Sequence, residues 1–76
     1  MAQAEDEARQ QERALTEPTR RALLDLLDGR ELEANALKDL LPGEPSVSFV
    51  VYHLRILQRV KLVASVEGRW RRVTAA

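Results

Sequence analysis

Residues 46–60 read SVSFVVYHLRILQRV, and the fold turns on how this stretch is laid out. Ser46 is a good N-cap, because its hydroxyl can accept a hydrogen bond from one of the unpaired N–H groups of the first helical turn. At about 100° per residue, Val47, Val50, Leu54 and Leu57 fall on one face of a helix over 47–60, and they are expected in the core. Ser48, Tyr52, Arg55 and Arg59 fall together on another face. That second stripe is polar and basic, and it carries one aromatic ring.

Upstream, Pro42-Gly43-Glu44-Pro45 is a strong break. Before it, residues 34–41 (ANALKDLL) spell a short helix with Leu37, Leu40 and Leu41 on one face, stopped by Pro42 and Gly43. Downstream, Leu62-Val63-Ala64-Ser65-Val66 is short and rich in β-branched residues. Glu67-Gly68 is a turn signal, and Trp70 to Thr74 makes a return strand. Two strands alone are marginal, so this hairpin must pack on the helices.

Residues 17–28 form an earlier helix. Thr16 is expected to cap it, Glu17 to sit near its positive dipole end, and Pro18 to occupy its first turn, where no N–H is needed. Leu23, Leu24, Leu26 and Leu27 supply its apolar face, and Gly29 ends it. Residues 1–14 (MAQAEDEARQQERA) are good helix formers, but their apolar stripe is only alanine. They form a helix if something packs on them and fray otherwise. The expected fold class is mainly α with a small β-hairpin, a winged helix-turn-helix of three to four helices and a two-stranded wing. Residues 1–14 are read as a helical or partly disordered extension, and 15–76 as the domain.

Composition sets the bounds. Seventy-six residues make one small domain, and 45% apolar residues are normal for a globular chain. There is no cysteine and one histidine, His53, so disulfides and thiolate zinc sites are excluded and no metal is expected. No apolar run is long enough to span a membrane, and the acidic N-terminus does not resemble a signal peptide, so a soluble, cytoplasmic protein is expected. The formal net charge is zero, yet it divides. Residues 1–45 hold six basic and eleven acidic side chains, a balance of −5. Residues 46–76 hold six basic and one acidic, a balance of +5. Such a chain can present a basic face while neutral overall. Alternatively, the two halves neutralise each other across the fold.

Two short helices joined by a turn and followed by a hairpin is the winged helix-turn-helix order. Three stretches resemble the ArsR-like bacterial and archaeal transcription regulators. Leu15 to Leu27, with its Pro18-Thr19-Arg20, is similar to that family's entry helix. Ser46 to Leu57, ending in His53-Leu54-Arg55-Ile56-Leu57, resembles its recognition helix. Lys61-Leu62-Val63 with Glu67-Gly68-Arg69 resembles its strand and wing tip. Lys61 stands where the family usually has glycine, and Val47, Phe49 and Val51 stand where it usually has polar residues. The resemblance implies transcription regulation by repression, with double-stranded DNA as partner. The family typically carries a further helix after the wing that helps dimerisation. Here residues 1–15 are the segment left for a homodimer, and a monomer is the other expectation.

Candidate DNA-binding residues follow. Ser48, Tyr52 and Arg55 can reach base edges or phosphates, and Arg can donate to guanine O6 and N7 together. Val51 can meet a thymine methyl. Arg59 extends the same stripe. Arg69 and Arg71 share one face of the second strand and suit phosphate. Each has an ordinary alternative in a solvated helix face or a protected strand edge. His53 lies near the edge of the core face; the family resemblance puts it near the DNA backbone, and the alternative is a buried histidine with one hydrogen-bond partner. Trp70 is expected to pack the hairpin on the helices. No cofactor is expected, and no enzyme, because no phosphate-binding loop or nucleophile motif occurs. Phe49, Val51 and Ile56 motivate a second reading, in which the domain is a protein-interaction or dimerisation module without sequence-specific DNA readout.

Overall fold

A computed structural model describes residues 2–73, with elements in the order α1 (Ala2–Ala14), α2 (Pro18–Leu26), β1 (Glu31–Glu33), α3 (Ala34–Leu40), α4 (Val47–Arg59), β2 (Val63–Val66) and β3 (Arg69–Arg72). Helices α2, α3 and α4 enclose the core, and the sheet adds Val63 and Trp70 to it. Leu23, Leu27, Leu37, Val50, Leu54 and Leu57 are fully buried. Burying each of these side chains stabilises the fold by roughly 1.5–3 kcal/mol. These five leucines and one valine form the centre of a core that Ala14, Leu24, Leu41, Val63 and Trp70 complete. This is the winged helix-turn-helix architecture, with one strand beyond the two of the wing.

The α4 helix begins as its sequence dictates. Ser46 is the N-cap, and its Oγ accepts from the Phe49 N–H at 3.1 Å. Val50, Leu54 and Leu57 point into the core. Val47 does not: it is 38% exposed, because as the first helical residue it stands at the open end of that face.

At α2 the expected cap is displaced by one residue. The Glu17 carboxylate accepts from the Thr19 N–H at 3.1 Å, and Pro18 opens the helix. Thr16 instead donates its hydroxyl to the Arg13 carbonyl at 2.7 Å and so finishes α1. The carboxylate, one carbon longer than aspartate, also brings negative charge to the dipole end. The helix stops at Leu26, two residues short of expectation, and Gly29 takes φ 75° in the turn beyond.

Helix α3 ends at Leu40, and Leu41 has left helical dihedrals at ψ 144°. That change of direction sends Leu41 into the core and leaves Leu40 half exposed, at 50%. Leu40 is therefore not a core residue, although its spacing matched.

Strand β1 has no counterpart in the sequence reading. Its three residues, Glu-Leu-Glu, are too short and too charged to signal a strand. It forms because β3 offers an open edge: the order is β1-β3-β2, all antiparallel. The wing turns at Glu67-Gly68, both left-handed at φ 54° and φ 78°. This is the two-residue geometry whose twist matches that of paired strands. The ladder runs one bond beyond the strands, from the Val73 N–H to the Leu62 carbonyl at 2.9 Å. Thr74, expected in the return strand, lies outside the described residues.

The alanine-rich N-terminal segment is helical because α4 supplies something to pack on. Ala14 is buried against the core. Gln11 donates its side-chain amide to the Val60 carbonyl at 2.9 Å, at the end of α4. Lys61 pairs with Glu7 at the same junction. Among the described residues, no helix is long and apolar enough to cross a membrane.

Candidate nucleic-acid interface

Helix α3, the turn 41–46 and helix α4 form the helix-turn-helix, with α4 as its second helix. Opposite the buried Val50, Leu54 and Leu57, the α4 surface carries Ser48, Tyr52, Arg55 and Arg59, all exposed. Tyr52 is 60% exposed, so its hydroxyl is held out in solvent. Val51 is half-buried on the same side. The stripe is 13 residues long at most, about 20 Å at 1.5 Å per residue, and it ends on two arginines one turn apart.

His53 is not on this surface. It is 6% exposed and sits behind the stripe, against α2. The rings of Phe49 and Tyr52 meet it edge-on, with centroids 4.6 and 5.1 Å away. Arg20 Nη1 donates to His53 Nδ1 at 3.3 Å, which requires Nδ1 to be the unprotonated nitrogen. Burial lowers the His53 pKa below its ordinary value, and the neighbouring Arg20 lowers it further; the Glu17 carboxylate, 3.7 Å away, opposes both. The imidazole is thus held neutral as the hinge of a small polar cluster. Of the two readings available from sequence, the buried histidine with one hydrogen-bond partner matches this placement.

Arg20 is the residue that sequence reasoning missed. It looks like an ordinary cation of the entry helix. In the fold, its Nε donates to the Ala14 carbonyl at 2.6 Å while Nη1 reaches His53, so one guanidinium ties α1, α2 and α4 together. Nothing in the sequence marks a partner 33 positions away.

The wing carries Arg69, Arg71 and Arg72, all exposed, around the buried Trp70. The register qualifies the charge division. Arg69 lies opposite Glu33 and Arg71 opposite Glu31 on strand β1, and directly opposed residues share a sheet face. Lys61 is paired with Glu7. Three of the six cations of the C-terminal half therefore stand beside acids of the N-terminal half. Among the described residues, the cations of this half that remain without such a neighbour are Arg55 and Arg59 of α4 and Arg72.

Among the described residues, no group of three or more His, Asp or Glu side chains is arranged to hold a metal ion. No curated protein matches the chain. Residues 15–66, from the end of α1 through β2, match the family described as a helix-turn-helix domain. That match spans more than half of the sequence and coincides with the elements that carry the exposed stripe, and the chain belongs to the helix-turn-helix domain family.

Proposed function

We propose that this protein is a transcription regulator that binds double-stranded DNA, most similar in kind to the ArsR-like winged helix-turn-helix repressors. One observation carries the reading. The second helix of the helix-turn-helix presents Ser48, Val51, Tyr52, Arg55 and Arg59 outward, while its other side is locked in the core. A helix held this way fits a major groove about 12 Å wide. Arg55 is the residue best placed to read guanine, with Ser48 and Tyr52 reaching bases or phosphates and Val51 a thymine methyl. Arg59 belongs to the same surface as a phosphate contact. The wing adds Arg69 and Arg71 along the flanking backbone. Lys61 supports the ArsR-like assignment from the backbone side: it takes φ 66° at the position where that family usually has glycine.

On this reading residues 15–76 are the DNA-binding domain and 1–14 an N-terminal extension, and the protein works in the cytoplasm. Pairing through residues 1–15 would give a homodimer matched to two half-sites about 34 Å apart. His53 acts on DNA only indirectly, by holding α4 against α2.

The test is fluorescence anisotropy with a pooled random-sequence duplex across a salt series. Affinity should fall steeply with salt, and Arg55→Ala should weaken it, lowering the slope of log K against log salt by about one if Arg55 meets phosphate. Arg69→Ala should do likewise, and Glu33→Gln should tighten binding by removing the negative charge that the strand register sets opposite Arg69. Absence of any binding at low salt sinks the proposal.

A second reading has its own observation. Phe49 is 42% exposed and borders an apolar groove with Pro18, Ala22, Leu41 and Pro45. A protein-interaction module would use that groove. NMR shifts confined to residues 48–59 and 67–72 on adding DNA count for the first reading. Concentration-dependent self-association lost on Phe49→Ser, with no DNA binding, counts for the second.

A further inference from the structure

A hollow of about 390 Å³ lies where α1, α2 and α4 meet, and is lined by Gln10, Arg13, Ala14, Arg20, Ile56, Arg59 and Val60. Its composition is unusual for this chain. Three arginines stand around one apolar floor of Ala14, Ile56 and Val60, and no aspartate or glutamate is among the lining residues. None of the three arginines has a carboxylate within 4.0 Å among the described residues, although the sequence has as many acidic as basic side chains.

The helix dipoles explain part of this. Arg13 and Arg59 are each in the last turn of a helix, where a cation is favourable. They do not explain why both ends converge on one hollow. Arg20 stands at the same hollow, fixed by its bonds to the Ala14 carbonyl and His53. Three guanidinium groups lining one hollow can each give an anion charge-assisted hydrogen bonds. A bare inorganic anion would leave the apolar floor unused. The hollow is shallow and largely open to solvent, so a ligand would lie across its apolar floor with one face in water.

We propose that this hollow binds a small organic anion, a carboxylate with an apolar body, its charge held by Arg13 and Arg59 beside the preset Arg20 and its body seated on Ala14, Ile56 and Val60. This site does not depend on the DNA-binding reading, and its test does not use DNA.

The experiment is an NMR titration of the full chain with three probes: 2-naphthoate, the neutral 2-naphthamide, and inorganic phosphate. Naphthoate should shift the amides of Ala14, Ile56 and Val60, with an affinity roughly tenfold or more above that of naphthamide. Phosphate should bind more weakly than naphthoate. The variant Arg13→Gln with Arg59→Gln should lower naphthoate affinity to that of naphthamide; both side chains are exposed, and an unchanged unfolding midpoint checks that the fold is intact. Four outcomes overturn the proposal: no shifts at the solubility limit of naphthoate, equal binding of the amide, equal binding of phosphate, or shifts that map to the Phe49 groove instead.

Discussion

Lowering the pH below neutrality should destabilise this protein through one residue, His53. The imidazole is buried, and burial together with Arg20 holds its pKa below the ordinary 6.5; Glu17 works in the opposite direction. The sign follows from proton counting. As pH falls through 6.5, the unfolded chain takes up a proton that the native state still refuses. Stability is therefore complete above about pH 6.5 and is lost progressively from there down to the lower, folded-state value. Within that window the free energy of unfolding falls by at most about 1.4 kcal/mol per pH unit. For a domain with about 5 kcal/mol in hand and a urea m-value of about 1 kcal/mol/M, this moves the midpoint by up to about 1.4 M per unit. The assay is urea unfolding of wild type and His53→Gln from pH 8 to 5.5, in which every other titrating group cancels in the difference. The glutamine carbonyl can still accept from Arg20 and does not titrate. Wild type should lose stability relative to the variant as pH falls, and Arg20→Gln should shrink the loss by removing one of the two causes. A flat difference would show that His53 is solvated in solution. A difference of opposite sign would show that Glu17, at 3.7 Å, outweighs burial and the guanidinium at 3.3 Å together.

Two further substitutions test the fold. Leu37→Ala should cost about 2–5 kcal/mol, whereas Leu40→Ala, three residues along the same helix, should stay within about 0.5 kcal/mol. Equal losses by chemical denaturation would mean that α3 faces the core differently. Glu67→Asn should raise stability by on the order of 0.5–1 kcal/mol, because Asn-Gly tolerates left-handed dihedrals at both turn positions better than Glu-Gly does. No change in the thermal midpoint would argue against that turn geometry.

The helices were largely legible because their signals are local. Ser46, the apolar spacing of Val50, Leu54 and Leu57, and the Pro42–Pro45 break all act within a turn or two. The wing turn was legible for the same reason, since Glu67-Gly68 carries its own dihedral requirement. The errors fall where an element ends or where a partner is distant. Thr16 and Glu17 compete for one cap, and side-chain reach decides between them. Leu40 and Leu41 compete for one core position, and the backbone's exit from the helix decides it. The three-residue β1 has no intrinsic strand preference and exists only as the neighbour of β3.

The candidate interface divides in the same way. The stripe of Ser48, Tyr52, Arg55 and Arg59 was readable, because helical periodicity places these residues on one side without knowledge of the rest. His53 sits at the border of that periodicity, and only the arrival of α2, bringing Glu17 and Arg20, buries it.

What the amino-acid sequence alone determined is the order of elements, the capping of α4 and the two faces of that helix. These follow from hydrogen-bond and packing rules that operate between near neighbours. The tertiary structure decided which charges stand free. A balance of −5 and +5 along the chain is a property of the line; opposing Glu31 to Arg71, Glu33 to Arg69 and Glu7 to Lys61 is a property of the fold. Register and helix docking set those distances, and Coulomb energy depends on distance in space. Among the described cations of residues 46–76, they leave Arg55, Arg59 and Arg72 unopposed, and they draw the distant Arg59 beside Arg13 and Arg20 around a single hollow.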